Sequence, residues 1–194
     1  KDRGGQARDR KARLCLGAGL RDRETAKLIV TEGQIPADDY RPCVVMALFN
    51  NAGLVLVAER NDVKEPSWQL PQGGIDDGED ARSAAHRELL EEIGTPAVTF
   101  RAEAARWITY DLPGGIAKVR WPSRYRGQRV KLLAFQFNGQ DADIDVDTAK
   151  PEFRAWKWVE LETLPDLIVP FKKSLYEAAV QEFTPLRDQI RQLS

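Results

Sequence analysis

Glu88, Glu91 and Glu92 stand at i, i+3 and i+4 within Arg87-Glu88-Leu89-Leu90-Glu91-Glu92-Ile93-Gly94. An α-helix advances about 100° per residue, so the three carboxylates share one face within roughly a 100° arc. Like charges that close are unfavourable in an isolated helix. A bound divalent cation turns the repulsion into ligation, because carboxylate oxygens suit hard ions such as Mg²⁺. Without a ligand, the same spacing is only a solvated acidic face. What precedes the helix therefore matters. Trp68-Gln69-Leu70-Pro71-Gln72 leads into a glycine turn at Gly73-Gly74, and a first acid follows at Glu79.

Those residues need elements to hold them. Asp77 or Asp80 can cap the acidic helix, and Gly94 ends it as a C′ residue. Cys43 to Phe49 (CVVMALF) reads as a strand, Asn50 to Gly53 as a hairpin turn and Leu54 to Ala58 as the returning strand. Further strands are expected at Ala97 to Trp107, Lys131 to Phe137 and Ala155 to Val159. A last helix is expected from about Phe171 to Phe183, with Leu175, Ala178, Ala179 and Phe183 as its apolar stripe, and Pro185 kinking or ending it. Thr25 to Gly33 could add a short strand or helical turn.

From Gly73 the spacing is Gly, five residues, Glu79, seven residues, Arg87-Glu88-Leu89, one residue, Glu91-Glu92, one residue, Gly94. This resembles the Nudix box of nucleoside diphosphate hydrolases. The pattern departs only at its end, where the family usually has an aliphatic residue and this chain has Thr95. Tyr40-Arg41-Pro42, the run WQLPQGGI, Val119-Arg120-Trp121, Pro151-Glu152-Phe153, Trp156-Lys157-Trp158 and Phe171-Lys172 are similar to the bacterial branch of RNA pyrophosphohydrolases and dinucleoside polyphosphate hydrolases. The similarity covers roughly Asp39 to Phe183. It implies an α/β fold, an α/β/α sandwich around a mixed β-sheet. It also implies a metal set of Gly73, Glu88, Glu91, Glu92 and Glu152, the last reaching in from a loop. The expected metal is Mg²⁺, with Mn²⁺ or another divalent cation as substitutes. Glu88 is the first choice for base or ligand and Glu152 the runner-up base. Glu79 is implied to pair with Arg87 and hold the helix to the loop. Arg41, Arg60 and Lys172 resemble phosphate- and nucleotide-contacting positions, and Phe171 a base-stacking aromatic with a core role as its competitor.

Lys118 to Lys131 (KVRWPSRYRGQRVK) carries six basic residues and no acid, with Trp121 and Tyr125 interleaved. Basic groups contact phosphates and aromatic faces stack on unpaired bases. Arg120, Arg124, Arg126 and Lys131 are therefore candidate substrate contacts, against the plainer reading of a solvated loop. Asp141, Asp143, Asp145 and Glu152 fall at calcium-loop positions. Val146 stands where that loop needs glycine, Pro151 follows, and helical flanks are absent. The aspartates are expected on the polar face of an edge strand instead.

Composition sets the outer bounds. With 194 residues, one domain is expected over 40–194, preceded by a poorly packed arm over 1–39 rich in charge and glycine. Hydrophobic content of 42% suffices for a core, and 29 basic against 30 acidic residues leave global charge silent on partners. Two cysteines make no disulfide framework, so a reducing cytoplasm is the simplest setting. The arm has no secretory apolar region, its Asp and Glu argue against a transit peptide, and no apolar run approaches a membrane span. The single His86 is expected to face solvent.

The expected enzyme is a metal-dependent pyrophosphohydrolase that converts 5′-triphosphorylated RNA to the 5′-monophosphate. The partner is thus a nucleotide polyphosphate or the 5′ end of RNA, with no membrane. Diadenosine tetraphosphate is the alternative substrate. A non-catalytic RNA-binding module is the alternative of another class.

Overall fold

The structure, a computed structural model, describes residues 39–64, 66–113 and 125–193. Among these, seven strands form one sheet: β1 (Tyr40–Phe49), β2 (Val55–Arg60), β3 (Trp68–Gln69), β4 (Gln72–Gly74), β5 (Val98–Asp111), β6 (Gly127–Phe137) and β7 (Phe153–Val159). The main order is β3-β2-β1-β6-β5, with β4 added to β1 and β7 to β2. β1 and β6 run parallel over ten paired positions, from Tyr40–Gly127 to Phe49–Gln136, while the other pairs are antiparallel. The sheet is thus mixed, as expected, and α1 (Ala81–Ile93) and α2 (Lys173–Leu193) cover opposite faces.

A strand covered on both faces must be apolar on both, which is why CVVMALF is a continuous run. Cys43, Val45, Ala47 and Phe49 join the core with Leu175, Tyr176, Ala179, Phe183 and Ile190 of α2. Val44, Met46 and Leu48 join Ala84, Ala85, Leu89 and Ile93 of α1. Leu70 and Pro71 separate β3 from β4. Even so, Pro71 O accepts from Met46 N at 2.9 Å, and Tyr176 Oη accepts from Leu70 N at 2.9 Å. These two bonds fix the entry to the glycine turn from both sides.

The ends of α1 are set locally. Asp80 Oδ1 accepts from the backbone N–H of Arg82 at 2.9 Å and of Ser83 at 3.1 Å, so Asp80 is the N-cap and Asp77 is not. Gly94 takes φ 70°, and its N–H donates to Leu90 O at 3.2 Å. A Cβ there would lie 2.8 Å from Asp145 O. Gly94→Ala should therefore lower stability by about 1–3 kcal/mol, from left-handed strain and that clash. A urea titration checks this, and an unchanged midpoint would contradict it.

Two expectations need correction. Pro185 neither ends nor bounds the last helix, because α2 continues to Leu193 with Pro185 inside it. The proline removes one backbone donor at a cost of about 3 kcal/mol. Tertiary anchors offset this. Ile190 is buried, Arg187 bonds Glu162 at 2.7 Å, and Arg191 bonds Glu160 at 2.6 Å and Ala52 O at 3.2 Å. The Asp141 to Asp147 stretch is no edge strand. Asp141–Asp143 is a 3-10 turn, in which Asp143 Oδ2 accepts from Gln140 N and Asp141 Oδ1 accepts from Trp158 Nε1. Thr25 to Gly33 and the arm lie outside the described residues, apart from Asp39.

Candidate active site

The acidic helix lies against the glycine turn, and the two meet without a gap. Glu88 and Glu92 are buried at 5% and 3% exposure, whereas Glu91 is exposed. A Cβ on Gly73 would overlap the Glu88 carboxyl, so glycine is needed for that approach. Glu92 Oε2 accepts from Gln72 N at 2.9 Å. Burial first, then the charges of Glu152 and Glu88, push the Glu92 carboxyl well above the usual range. Three carboxylates within electrostatic reach of one another cannot all stay charged cheaply without a cation.

Arg87 binds the helix to the turn. Its Nε donates to Glu79 Oε1 at 2.9 Å, and its Nη2 donates to Glu79 Oε2 at 2.7 Å and to Gly74 O at 2.8 Å. Glu79 in turn accepts from Asp76 N at 3.0 Å. The Arg87 bond leads the causes that hold Glu79 below its ordinary pKa. Arg87 also reaches Glu88 at 2.7 Å and Glu91 at 3.5 Å. One guanidinium thus bridges the carboxylates of Glu79, Glu88 and Glu91.

The NUDIX domain family profile matches residues 39–179. The chain is a Nudix hydrolase. An RNA pyrophosphohydrolase of Rhodospirillum rubrum is 52% identical over 143 residues, covering 74% of this chain and 86% of that relative. One of Dinoroseobacter shibae is 46% identical over 157 residues, covering 80% and 98%. Among solved structures, the E. coli dihydroneopterin triphosphate pyrophosphohydrolase has a TM-score of 0.58 at 18% identity, over 74% of this chain and 96% of that one. A C. elegans Ap4A hydrolase has a TM-score of 0.53 at 20% identity, over 74% and 96%. At such identities these two speak for the fold alone.

Where the Nudix helix meets the turn the candidate donors, Glu88 and Glu92, are carboxylate oxygens, the kind that suits a hard divalent cation, while His86 of the same helix packs on Phe135. The close approach permitted by Gly73 and the crowding of Glu88, Glu92 and Glu152 fit such an ion. Among the described residues, no three His, Cys, Asp or Glu side chains are gathered tightly enough to hold an ion as they stand. Arg87 lies 2.7 Å from Glu88 Oε1 and 3.5 Å from Glu91 Oε1, one oxygen of each carboxylate.

Around this Nudix face the other expected residues divide. Arg60 is within electrostatic reach of the carboxylates of Glu152 and Glu92, and the adjoining Asn61 N donates to Glu152 O at 3.0 Å. Lys172 is buried and its Nζ donates to Gln72 Oε1 at 2.7 Å. Arg41 lies against Gly74, where a Cβ would overlap its guanidinium. Phe171 packs on Tyr110 with ring centroids 6.3 Å apart and on the α2-side core. Arg126 is instead engaged by Asp111 at 3.0 and 2.6 Å. Lys131 sits within β6, 7% exposed, with Nζ 3.1 Å from Glu103 Oε1 and 3.3 Å from Ala105 O. Arg120 and Arg124 lie outside the described residues. His86 is exposed, as expected, with its ring edge-on to Phe135.

Gln72, Asp62 and Tyr176 were not singled out from sequence. Gln72 joins the two halves of the site, giving its N–H to Glu92 and its side-chain oxygen to Lys172. Its place in WQLPQGGI beside Gly73 was the available signal. Tyr176 offered none, because its partner Leu70 is distant in the chain, and Asp62, two residues from its partner Arg60, looked like any charge near a turn.

The Glu79–Arg87 fork makes a separable prediction. Glu79→Gln removes the charge that holds Arg87 and the Asp76 turn, so apo melting temperature should fall. Glu91→Gln removes only an exposed acid and should leave it nearly unchanged. Equal shifts in the two apo melts would refute a structural role for Glu79.

Proposed function

We propose that this chain removes pyrophosphate, or two successive phosphates, from 5′-triphosphorylated RNA in a Mg²⁺-dependent hydrolysis that leaves a 5′-monophosphate. The observation that carries the reading is the burial of Glu88 and Glu92 against the Gln72–Gly73 turn, within electrostatic reach of Glu152, with Arg41, Arg60 and Lys172 around it. Relatives at 46–52% identity bear the name RNA pyrophosphohydrolase. Water attacks phosphorus, a new P–O bond forms and the anhydride P–O bond breaks. Glu88, Glu91, Glu92 and Glu152, with the Gly73 backbone, are the residues that would hold Mg²⁺. When bound, it neutralises phosphate oxygens and acidifies water.

The protein's own residues do the rest. Glu88 or Glu152 takes the proton from the attacking water. Arg41, Arg60 and Lys172 bind the polyphosphate and orient it for in-line attack. Phe171, backed by Tyr110, offers a flat apolar surface to an unpaired base. No helix among the described residues is long and apolar enough to cross a membrane, and we place the enzyme in the cytoplasm with its RNA substrate.

A second reading has one specific observation behind it. In the described part of the basic run, Arg126 and Lys131 are neutralised by Asp111 and Glu103. That favours a short substrate such as diadenosine tetraphosphate, which needs no track for a following chain. Purified protein given Mg²⁺, triphosphorylated RNA and diadenosine tetraphosphate in competition decides between them. Preferential release of pyrophosphate or phosphate from RNA is the expected result. Preference for the dinucleotide supports the second reading, and RNA binding without phosphate release refutes both.

A further inference from the structure

We propose that Asp62 is a positioning residue that grips one edge of the Arg60 guanidinium, so that the end-on edge meets a substrate phosphate beside Glu92 and Glu152. The inference rests on the pyrophosphohydrolase reading and deepens it. Asp62 Oδ1 accepts from Arg60 Nε at 2.7 Å and Asp62 Oδ2 accepts from Nη2 at 2.5 Å. Both side chains are largely covered, at 14% and 15% exposure. A guanidinium holds five N–H donors in one plane. This side-on fork uses the N–H of Nε and one of Nη2, which leaves one donor on Nη2 and two on Nη1, with an Nη1–Nη2 pair on the end-on edge.

The next charges acting on Arg60 are those of Glu152 and Glu92. Burial opposes the Arg60 charge, but the Asp62 bond and these carboxylates outweigh it, and its pKa is raised. Arg60 hydrogen-bonds neither glutamate, since Asp62 supplies both of its side-chain hydrogen bonds among the described residues. The loop that carries Asp62 is itself pinned to the Glu152 segment. Asn61 N donates to Glu152 O at 3.0 Å and Asn61 Nδ2 donates to Pro151 O at 2.6 Å. Arg60 N donates to Ser67 O at 3.1 Å, which closes the loop from its other end. The β2–β7 register shifts at Arg60, Glu59 pairing with Ala155 and Arg60 with Phe153, so that Arg154 of β7 is the extra residue.

The physical gain is pre-organisation. A long side chain that must be ordered on binding spends affinity on lost rotamers, and a tether made beforehand removes that cost. A planar fork also suits phosphate oxygens better than a lysine does. Neutralisation of a largely covered arginine alone would give Asp62 a purely structural role, which predicts loss of stability without a selective change in substrate binding.

The test is a double-mutant cycle on steady-state hydrolysis of a 5′-triphosphorylated oligonucleotide with Mg²⁺, using Asp62→Asn, Arg60→Lys and the pair. Asp62→Asn keeps the shape and removes the charged fork. Arg60→Lys keeps the charge but cannot be held by two bonds. Asp62→Asn should raise KM about 10-fold with kcat within about threefold, the size expected for a charged hydrogen bond lost from binding. In the Arg60→Lys background the same change should alter KM less than about twofold, because the residue it acts through is gone. Asp62→Glu, which keeps a fork, should fall between wild type and Asp62→Asn. Calorimetric titration of inorganic pyrophosphate gives a readout independent of turnover, with an expected weakening of about 10-fold in Asp62→Asn. Wild-type pyrophosphate binding without RNA hydrolysis would refute the functional reading while still testing the grip. An additive cycle, an unchanged KM, or a change confined to melting temperature would overturn the role of Asp62.

Discussion

Glu92→Gln will lose at least about 10²-fold in turnover while the apo protein melts at a higher temperature than wild type. Both halves follow from one position. Glu92 is 3% exposed and faces the charges of Glu152 and Glu88. Glutamine has the same shape, and its side-chain oxygen can still accept the Gln72 N–H. It removes a buried like charge, so the empty protein gains. It also removes a charged oxygen donor, so the loaded enzyme loses. Steady-state kinetics with Mg²⁺ and a thermal melt with chelator measure the two effects. Wild-type turnover, or a lower apo melting temperature, would contradict the assignment of Glu92 to the metal set.

Gly73→Ala should abolish most activity by a different route, with no charge changed. The added methyl falls on the Glu88 carboxyl, which is buried and held by Arg87 at 2.7 Å. Either Glu88 swings out or the turn moves off the helix. Overpacking of this kind costs about 1–3 kcal/mol of stability, and a shift of about 1 Å at a reacting centre costs on the order of 10²-fold in rate. Gly78→Ala is the matched control. Its φ of 81° makes alanine strained, yet nothing lies within 4 Å of the new Cβ. It should lower stability and leave the rate per folded molecule near wild type. Equal rates for the two alanine variants would show that close approach at Gly73 is unimportant.

Legibility in the sequence followed the range of the forces involved. The helix that carries Glu88, Glu91 and Glu92 was readable because Asp80 and Gly94 fix its ends through bonds within a few residues. The strands were readable by their apolar runs but ran longer than expected. β5 reaches Asp111 and β6 begins at Gly127, through polar residues that pairing with a neighbouring strand keeps extended. The passage of α2 through Pro185 was not readable, because Glu160, Glu162 and Ala52 stabilise its far end from distant parts of the chain. In the site, the box glutamates stood out by spacing. The Arg60–Asp62 fork did not, since two residues of opposite charge near a turn are common and only the burial of both makes the pair informative. Lys131 looked like part of a basic run, but strand alternation turns it toward Glu103.

The parallel β1–β6 pair also constrains how the chain can be made. β1 carries Arg41 and supports the Gly73 turn through Val44, yet its long partner is β6, far downstream. Antiparallel neighbours can zip from a hairpin, whereas this pairing must close a large loop before it gains contacts, which is a slow kind of step. During synthesis β1 is therefore expected to have its β6 flank unpaired until the residues up to Gln136 have emerged. Nascent chains stalled before that point should be protease-sensitive throughout β1, and an unpaired apolar edge of that length is a target for chaperones or for aggregation.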